Sequence, residues 1–414
     1  MRFAALAVLL LLPMSGAAGE DWPQWRGPNR DGISLETGLR QSWPDGGPPL
    51  IFRAEGLGAG YSTVAVADGR IHTQGMFSGR EWIVTLDAAT GAQLWATPHA
   101  DAYRDGRGDG PRGVPTVVDG TVYALGARGQ LTALDAASGQ IRWTLNLLER
   151  FRGRNISWGI SESPLVLGDR VLVSPGSRQV GFAAFDRESG ELLWGTAGDE
   201  AGYSSPLPVD LAGAPHIVYF SGERAAGVRA DDGALLWSYR RASNRTANIA
   251  TPILVSNRGG AAEVFLSSDY GTGGALLELQ ADGAGGVTAT EKYFTRNMRA
   301  HHMTPVLHEG VLYGFSGSVF SALDIETGAL FWRDRSIRKG SLTFADNRLY
   351  VFSERGDVAL VEPSRAGYRQ RGRFELRQRD RSGENTWTHP VVANGLLYLR
   401  DQDVLVAYDV KAGP

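Results

Sequence analysis

His301 and His302 stand side by side, and a third histidine, His389, follows Trp387 by two positions. Imidazoles are the side chains best suited to proton transfer and metal binding near neutral pH. Asn155, Trp158 and Glu162 share the stretch "RNISWGISESP" (154–164), and Gly-Tyr-Ser occurs twice, at Tyr61 and Tyr203. These nine residues have one thing in common. Each lies in a short polar and aromatic loop just ahead of a run of alternating apolar residues. Aromatic faces with a few hydrogen-bonding edges are the equipment of a small-ligand site, and all nine are candidates for one. The repeated Gly-Tyr-Ser suggests a structural duty such as filling a channel mouth, whereas the other seven positions do not repeat. The competing reading of the whole set is a hydrated structural plug. A metal centre is not expected. Neighbours on a strand face opposite ways, so His301 and His302 should not share an ion, and a zinc site joining one of them to His389 would want a third ligand. Catalytic residues are unknown at this level: no nucleophile elbow, phosphate loop, zinc-protease motif or paired-carboxylate spacing occurs.

What must position these loops is a repeat. "LDAATGAQLW" (86–95), "LDAASGQIRW" (134–143), "FDRESGELLW" (185–194) and "LDIETGALFW" (323–332) are nearly one sentence. In each, an alternating run ends at Asp87, Asp135, Asp186 or Asp324; Ser or Thr and Gly follow, and the unit closes on Trp95, Trp143, Trp194 or Trp332. An Asp carboxylate can accept from amides just downstream and so stabilise a turn, and Gly tolerates the positive φ of a bulged hairpin. The tryptophans are read as core wedges. "VRADDGALLW" (228–237) ends on Trp237 but has Arg229 where Asp is expected. A second hairpin precedes each unit, as in "VPTVVDGTVYALGARGQLTALD" (114–135), so one unit is four short antiparallel strands. Trp95, Trp143, Trp194 and Trp237 follow one another at 48, 51 and 43 residues, a spacing of propeller blades.

Openings at Tyr61, Val114, Ser163, Ser205, Thr251, Thr304, Leu342 and His389 count eight units. The eighth stops after its third strand, near residues 404–410, and "PPLIFRAEG" (48–56) is available as the missing fourth. The expectation is an all-β protein: an eight-bladed β-propeller of four-stranded antiparallel blades, closed by an N-terminal strand. Seven blades are the alternative, because the fifth unit is poorly written. Residues 48–414 would form this single domain, preceded by an extension over 20–47.

Residues 1–19 carry Arg2, an apolar run and then small residues, the pattern of a secretory signal peptide. With no cysteine in 414 residues, disulfides, thiolate metal sites and a lipid-anchor cysteine are unavailable, so a periplasmic or secreted location is expected. A net charge of -3 gives no pull toward nucleic acid, and no integral membrane segment is expected after signal removal.

The Asp-x-x-[Ser/Thr]-Gly-x-x-x-Trp element and the x-Pro-x-Val strand before it resemble the pyrroloquinoline-quinone-type repeat of β-propellers. Quinoprotein alcohol dehydrogenases share it, as does the propeller lipoprotein of the outer-membrane assembly machinery. "DWPQWRGPNRDGIS" (21–34), "LGAGYSTVAVADGRI" (57–71) and "GDGPRGVPTVVDGTVYALG" (108–126) are similar to exported bacterial propellers labelled quinone-binding-like. For the dehydrogenases the resemblance implies a quinone held between a tryptophan and a disulfide of adjacent cysteines, with Ca²⁺ beside it. This chain has no cysteine for that clamp, so quinone with Ca²⁺ is disfavoured and no cofactor is assigned. Two further stretches stand out. "DAYRDGRGDGPRG" (101–113) reads as a polar surface loop. Around the seventh unit's outer strand, Arg369, Arg371, Arg373 and Arg377 form a candidate surface for an acidic partner, against the reading that they merely guard a strand edge. The resulting expectation is a non-catalytic propeller that binds an envelope or secreted protein, or a small ligand, at its loop face. A quinone-dependent oxidoreductase and an outer-membrane assembly scaffold are the alternatives.

Overall fold

The computed structural model describes residues 20–376 and 384–413. The signal-peptide pattern and Arg377 lie outside them. Eight antiparallel sheets follow one another around a ring, each a blade of four strands in meander order. The first blade runs through Ala65–Ala67, Arg70–Phe77, Arg80–Asp87 and Gln93–Asp101, from axis to rim. The fifth, irregular in sequence, is as complete as the rest: Ile253–Arg258, Ala261–Ser268, Gly273–Ala281 and Val287–Thr295. In the eighth, Val391–Ala393, Leu396–Asp401 and Val404–Asp409 are joined by Leu50–Ala54, with Phe52 opposite Ala407 and Arg53 opposite Val406. One blade is thus built from both ends of the domain, and the ring has no unpaired first or last sheet.

The repeat explains how neighbouring blades hold one another. Asp135 Oδ1 accepts from the amides of Ala137 and Ser138 and from the Ser138 hydroxyl, while Gly139 turns at φ +72. That turn lies against the indole of the preceding blade. Trp95 Nε1 donates to the Ala136 carbonyl at 3.1 Å, and the ring packs on Gly139. The same contact joins Trp143 to Arg187 and Gly190, and Trp194 to Ala230 and Gly233. Trp332 donates to Ser364 of the seventh blade. Where the sequence lacks tryptophan, other aromatics fill the place: Tyr293 bonds Ile325 and packs on Gly328, and Phe52 packs on Gly91. Trp237 departs from the pattern. It is buried, yet its Nε1 has no protein partner and its ring lies over Gly227 of its own blade. The fifth blade turns at 282–286 around Asp282 and offers no Asp-x-x-[Ser/Thr]-Gly loop to receive it.

Nearer the axis, hydroxyls stitch blade to blade. Thr63 donates to the carbonyl of His389, Thr116 to Pro164, Ser341 to Thr388 and Thr343 to Pro390. The prolines fit here because the innermost strand is a sheet edge, where a missing N–H breaks no ladder.

Residues 20–34 have the largest unforeseen role. They thread the middle of the ring. Trp22 bridges Val66 of the first blade, Pro23 accepts from Val117 of the second, and Trp25 Nε1 donates to Thr251 of the fifth. Arg26 reaches the carbonyls of Thr304 and Pro305, and Arg30 those of Ser163 and Pro164. Ile33–Ser34 then adds a parallel fifth strand inside the seventh blade. Innermost strands leave carbonyls facing the channel, and a guanidinium with five donors can satisfy several at once. Arg26 and Arg30 are 2% and 1% exposed. Burial pulls them down to about 10 and about 9, so both remain cationic at neutral pH.

The indole-on-glycine contact gives a direct test. Gly120 and Gly190 both sit at positive φ, but a Cβ on Gly120 meets open space while one on Gly190 comes within 2.8 Å of the Trp143 ring. Gly120→Ala should cost only the backbone strain of about 1 kcal/mol. Gly190→Ala should cost about 1–3 kcal/mol more, read as a lower urea midpoint at unchanged slope.

Candidate functional site

The loops that precede the innermost strands meet at one face of the ring, as the positions of Tyr61, Trp158, Tyr203, His301, His302, Trp387 and His389 around one cavity show. Its empty volume is about 910 Å³, counting the part open to solvent. Trp25 of the central segment also lines it, edge-on to His389 with ring centres 4.6 Å apart. Because that segment fills the axis behind it, the opening is a cup rather than a channel.

An aromatic belt runs round the wall. Tyr203 meets Trp158 at 5.6 Å, Trp158 meets Tyr270 at 6.3 Å, and Tyr270 meets His301 at 5.3 Å. His302 stacks on Trp387 at 5.6 Å, and Trp387 meets Tyr61 at 5.1 Å. The gap between Tyr61 and Trp158 is closed by loop 101–113, which supplies Arg107 above Trp158 at 5.2 Å and Arg112 above Tyr61 at 5.7 Å. Cations over ring faces are attracted by the π quadrupole. Gly108 at φ +133 is needed for this approach, since a Cβ there would strike the Tyr61 hydroxyl. Loop 101–113 is therefore cup wall and not the bystander surface loop its polarity suggested.

Two of the nine expected residues do not reach the cup. Glu162 lies between Ser161 and Ser163, which do line it, and the alternation of side chains sends its carboxyl the other way. It accepts from the Ser174 amide and hydroxyl, and burial raises it to about 7. Asn155 donates to the Ala127 carbonyl and does not line the cavity. The histidine pair corrects the strand-based expectation: residues 301–303 form a bend ahead of the strand Val306–His308, so both rings face the cup. His301 Nδ1 lies 2.9 Å from Lys339 Nζ and Nε2 lies 3.0 Å from the Tyr270 hydroxyl. An ammonium can only donate, so Nδ1 accepts and the proton sits on Nε2. Sequence reasoning did not find Trp25, Arg107, Arg112, Tyr270 or Lys339. For Trp25, Arg107 and Arg112 the available signal was that stretches 21–34 and 101–113 stood out in the sequence; nothing marked Tyr270 or Lys339.

Burial pushes His301 down to about 4 and His389 to about 3, and lowers His302 well below its ordinary value. It also lowers Arg112 and Lys339. Among the described residues no carboxylate lines the cup, and no group of three or more His, Asp or Glu is placed to hold a metal. Ca²⁺ demands six to eight oxygen ligands. The donor set therefore does not fit a calcium-bound quinone. The three candidate partner arginines among the described residues are paired: Arg369 and Arg371 with Glu362, and Arg373 with Asp357 at 2.6 Å.

Blades of this construction, carrying this turn, define the PQQ-like repeat propellers as a class. A family model described as outer membrane protein assembly factor BamB matches residues 79–320 and 315–414, and the chain belongs to that PQQ-like repeat β-propeller family. It is 24% identical over 354 residues to the outer membrane protein assembly factor BamB of Yersinia pestis, covering 79% of this chain and 82% of that one. It is 30% identical over 140 residues to the quinohemoprotein alcohol dehydrogenase ADH-IIG of Pseudomonas putida, a match spanning 32% of this chain but only 19% of the enzyme. Among solved structures, BamB from Moraxella catarrhalis aligns with a TM-score of 0.61 at 16% identity, over 87% of this chain and 99% of that one. Quinohemoprotein alcohol dehydrogenase from Comamonas testosteroni aligns with a TM-score of 0.67 at 13% identity, over 95% and 81%. At such identities these two likenesses concern the fold alone.

Buried neutral histidines carry a pH signature. His99 is 6% exposed, neither ring nitrogen has a partner, and burial lowers it to about 3. Its charged form is disfavoured in the fold, so its stability is complete above about 6.5 and is lost as pH falls toward 3. The difference in stability between wild type and His99→Leu should therefore change by up to about 1.4 kcal/mol per pH unit below 6.5, to the detriment of wild type. Urea melts at pH 7, 6 and 5 check it, with no change expected above pH 7.

Proposed function

We propose that this protein is an exported, non-catalytic propeller whose cup binds a small ligand. The observation that carries the reading is the closed belt of aromatic and cationic groups around a floored cavity. Rings present flat apolar area at low entropic cost, while the few polar groups fix orientation. Export is supported by the pattern of residues 1–19, and a periplasmic or secreted location accords with it. A mature protein beginning close to Gly19, seen by intact mass after expression in a Gram-negative host, is the expected result.

A scaffold that binds envelope proteins is the second reading. Its support is the family model and the alignment along most of the BamB of Yersinia pestis. Quinone-dependent oxidation has weaker support, since the dehydrogenase match is partial, the described lining of the cup offers no carboxylates for Ca²⁺, and the sequence has no cysteine for a clamp.

The readings separate in one preparation. Purified protein mixed with pyrroloquinoline quinone, Ca²⁺ and a primary alcohol should reduce no dye. Stoichiometric retention of quinone absorbance with turnover would overturn the non-catalytic reading. Co-purification of a defined envelope protein that Trp158→Ala leaves intact would favour the scaffold.

A further inference from the structure

Resting on the cup being a ligand site, we infer that it selects small carboxylate-bearing ligands, with Arg112 as the residue that sets this specificity. Arg107 and Arg112 are the charged side chains that line it, and no Asp or Glu lines it among the described residues. Both come from loop 101–113, where Asp105 and Asp109 are already engaged. Asp109 pairs with Arg104 at 3.1 Å and accepts from the Asp105 amide, and Asp105 accepts from the Arg107 amide. Glu81, close enough to act on Arg112 through its charge, does not line the cup and accepts instead from the Ala127 amide.

Arg112 is thus held without a carboxylate. Its two terminal nitrogens donate to the carbonyls of Gly108 and Gly110, and its Cζ lies 4.7 Å from the centre of the Tyr103 ring. With one N–H of each terminal nitrogen spent on a carbonyl, the fixed guanidinium keeps its remaining N–H groups for a carboxylate, and a partly desolvated one gains more from such a partner than an exposed one. The floor points the same way. His389 is 4% exposed and its Nε2 has no protein partner. Ser163 and Ser205 each accept a backbone N–H and donate to no protein acceptor. Serine hydroxyls in the floor beneath a cationic wall suit a ligand that offers acceptors. A cation would meet two arginines in the lining; Glu354, which accepts from the Trp387 indole, and Glu384 and Asp269, whose charges reach Tyr61 and His301, stand beside the wall and not in it.

Calorimetric titration of the full chain with three flat probes of one size tests this: isophthalate, its neutral isostere isophthalamide, and cationic benzamidine. Isophthalate should bind at least ten-fold tighter than the diamide, benzamidine should not bind, and 500 mM NaCl should erase most of the preference. Arg112→Gln should lose the preference at least ten-fold, while Arg112→Lys should retain part of it, with circular dichroism confirming the fold of each. Equal binding of the diamide or of benzamidine by the wild type would overturn the charge selection yet leave the ligand cup standing. No binding of any probe would overturn the cup reading itself. A preference that survives in folded Arg112→Gln would remove Arg112 from the assignment.

Discussion

An aromatic ring laid on a glycine turn of the next blade is the interaction on which everything else here rests. A single four-stranded sheet of this size cannot bury both faces, so each blade depends on its neighbours for a core. The contact sets how closely and at what angle neighbours meet. A tryptophan reaches out from the rim strand, the glycine removes the Cβ that would hold it off, and the indole N–H takes a carbonyl of the turn. Tyr293 and Phe52 occupy the same place, so the need is for a large ring of the right reach rather than for one residue type. Trp237 marks where the rule lapses, at the junction with the fifth blade, whose turn at 282–286 gives its indole no carbonyl.

Closing such a ring creates a hole on the axis, edged by carbonyls with no strand to pair with. In this protein residues 20–34 fill it. The two buried guanidinium groups replace water as donors to those carbonyls, and Trp25 provides an apolar lid that becomes the floor of the cup on the other face. Structural and functional roles are therefore layered along the axis. The plug satisfies backbone groups below, and the surface above it is free to carry rings, imidazoles and arginines whose arrangement owes nothing to blade packing.

Membership in a family whose named members include both an assembly factor and alcohol dehydrogenases settles the scaffold and not the use made of it. The strands fix where the loops emerge, and the side chains those loops carry into the cup are set independently of the strands beneath.

Local chemistry was enough to read the ring. The Asp and Gly of each turn, the two-residue alternation and the spacing of the tryptophans are all short-range features, and together they gave the blade, the count of eight and the strand exchange at Phe52. The loops holding Tyr61, Trp158, His301 and Trp387 were legible for the same reason, because they occupy fixed places in the repeat. Side-chain direction was not. Glu162 turned away and His302 turned in because one extended residue or one bend reverses the face presented, and nothing in the composition of a loop records which. The plug and the arginine wall were beyond reach for a different cause. Their partners lie far off in sequence, Arg26 bonding Thr304 and Trp25 meeting His389, and such pairings exist only after the ring has closed. Sequence determined the unit and its repetition; tertiary structure alone decided what filled the centre and which charges faced the space left over.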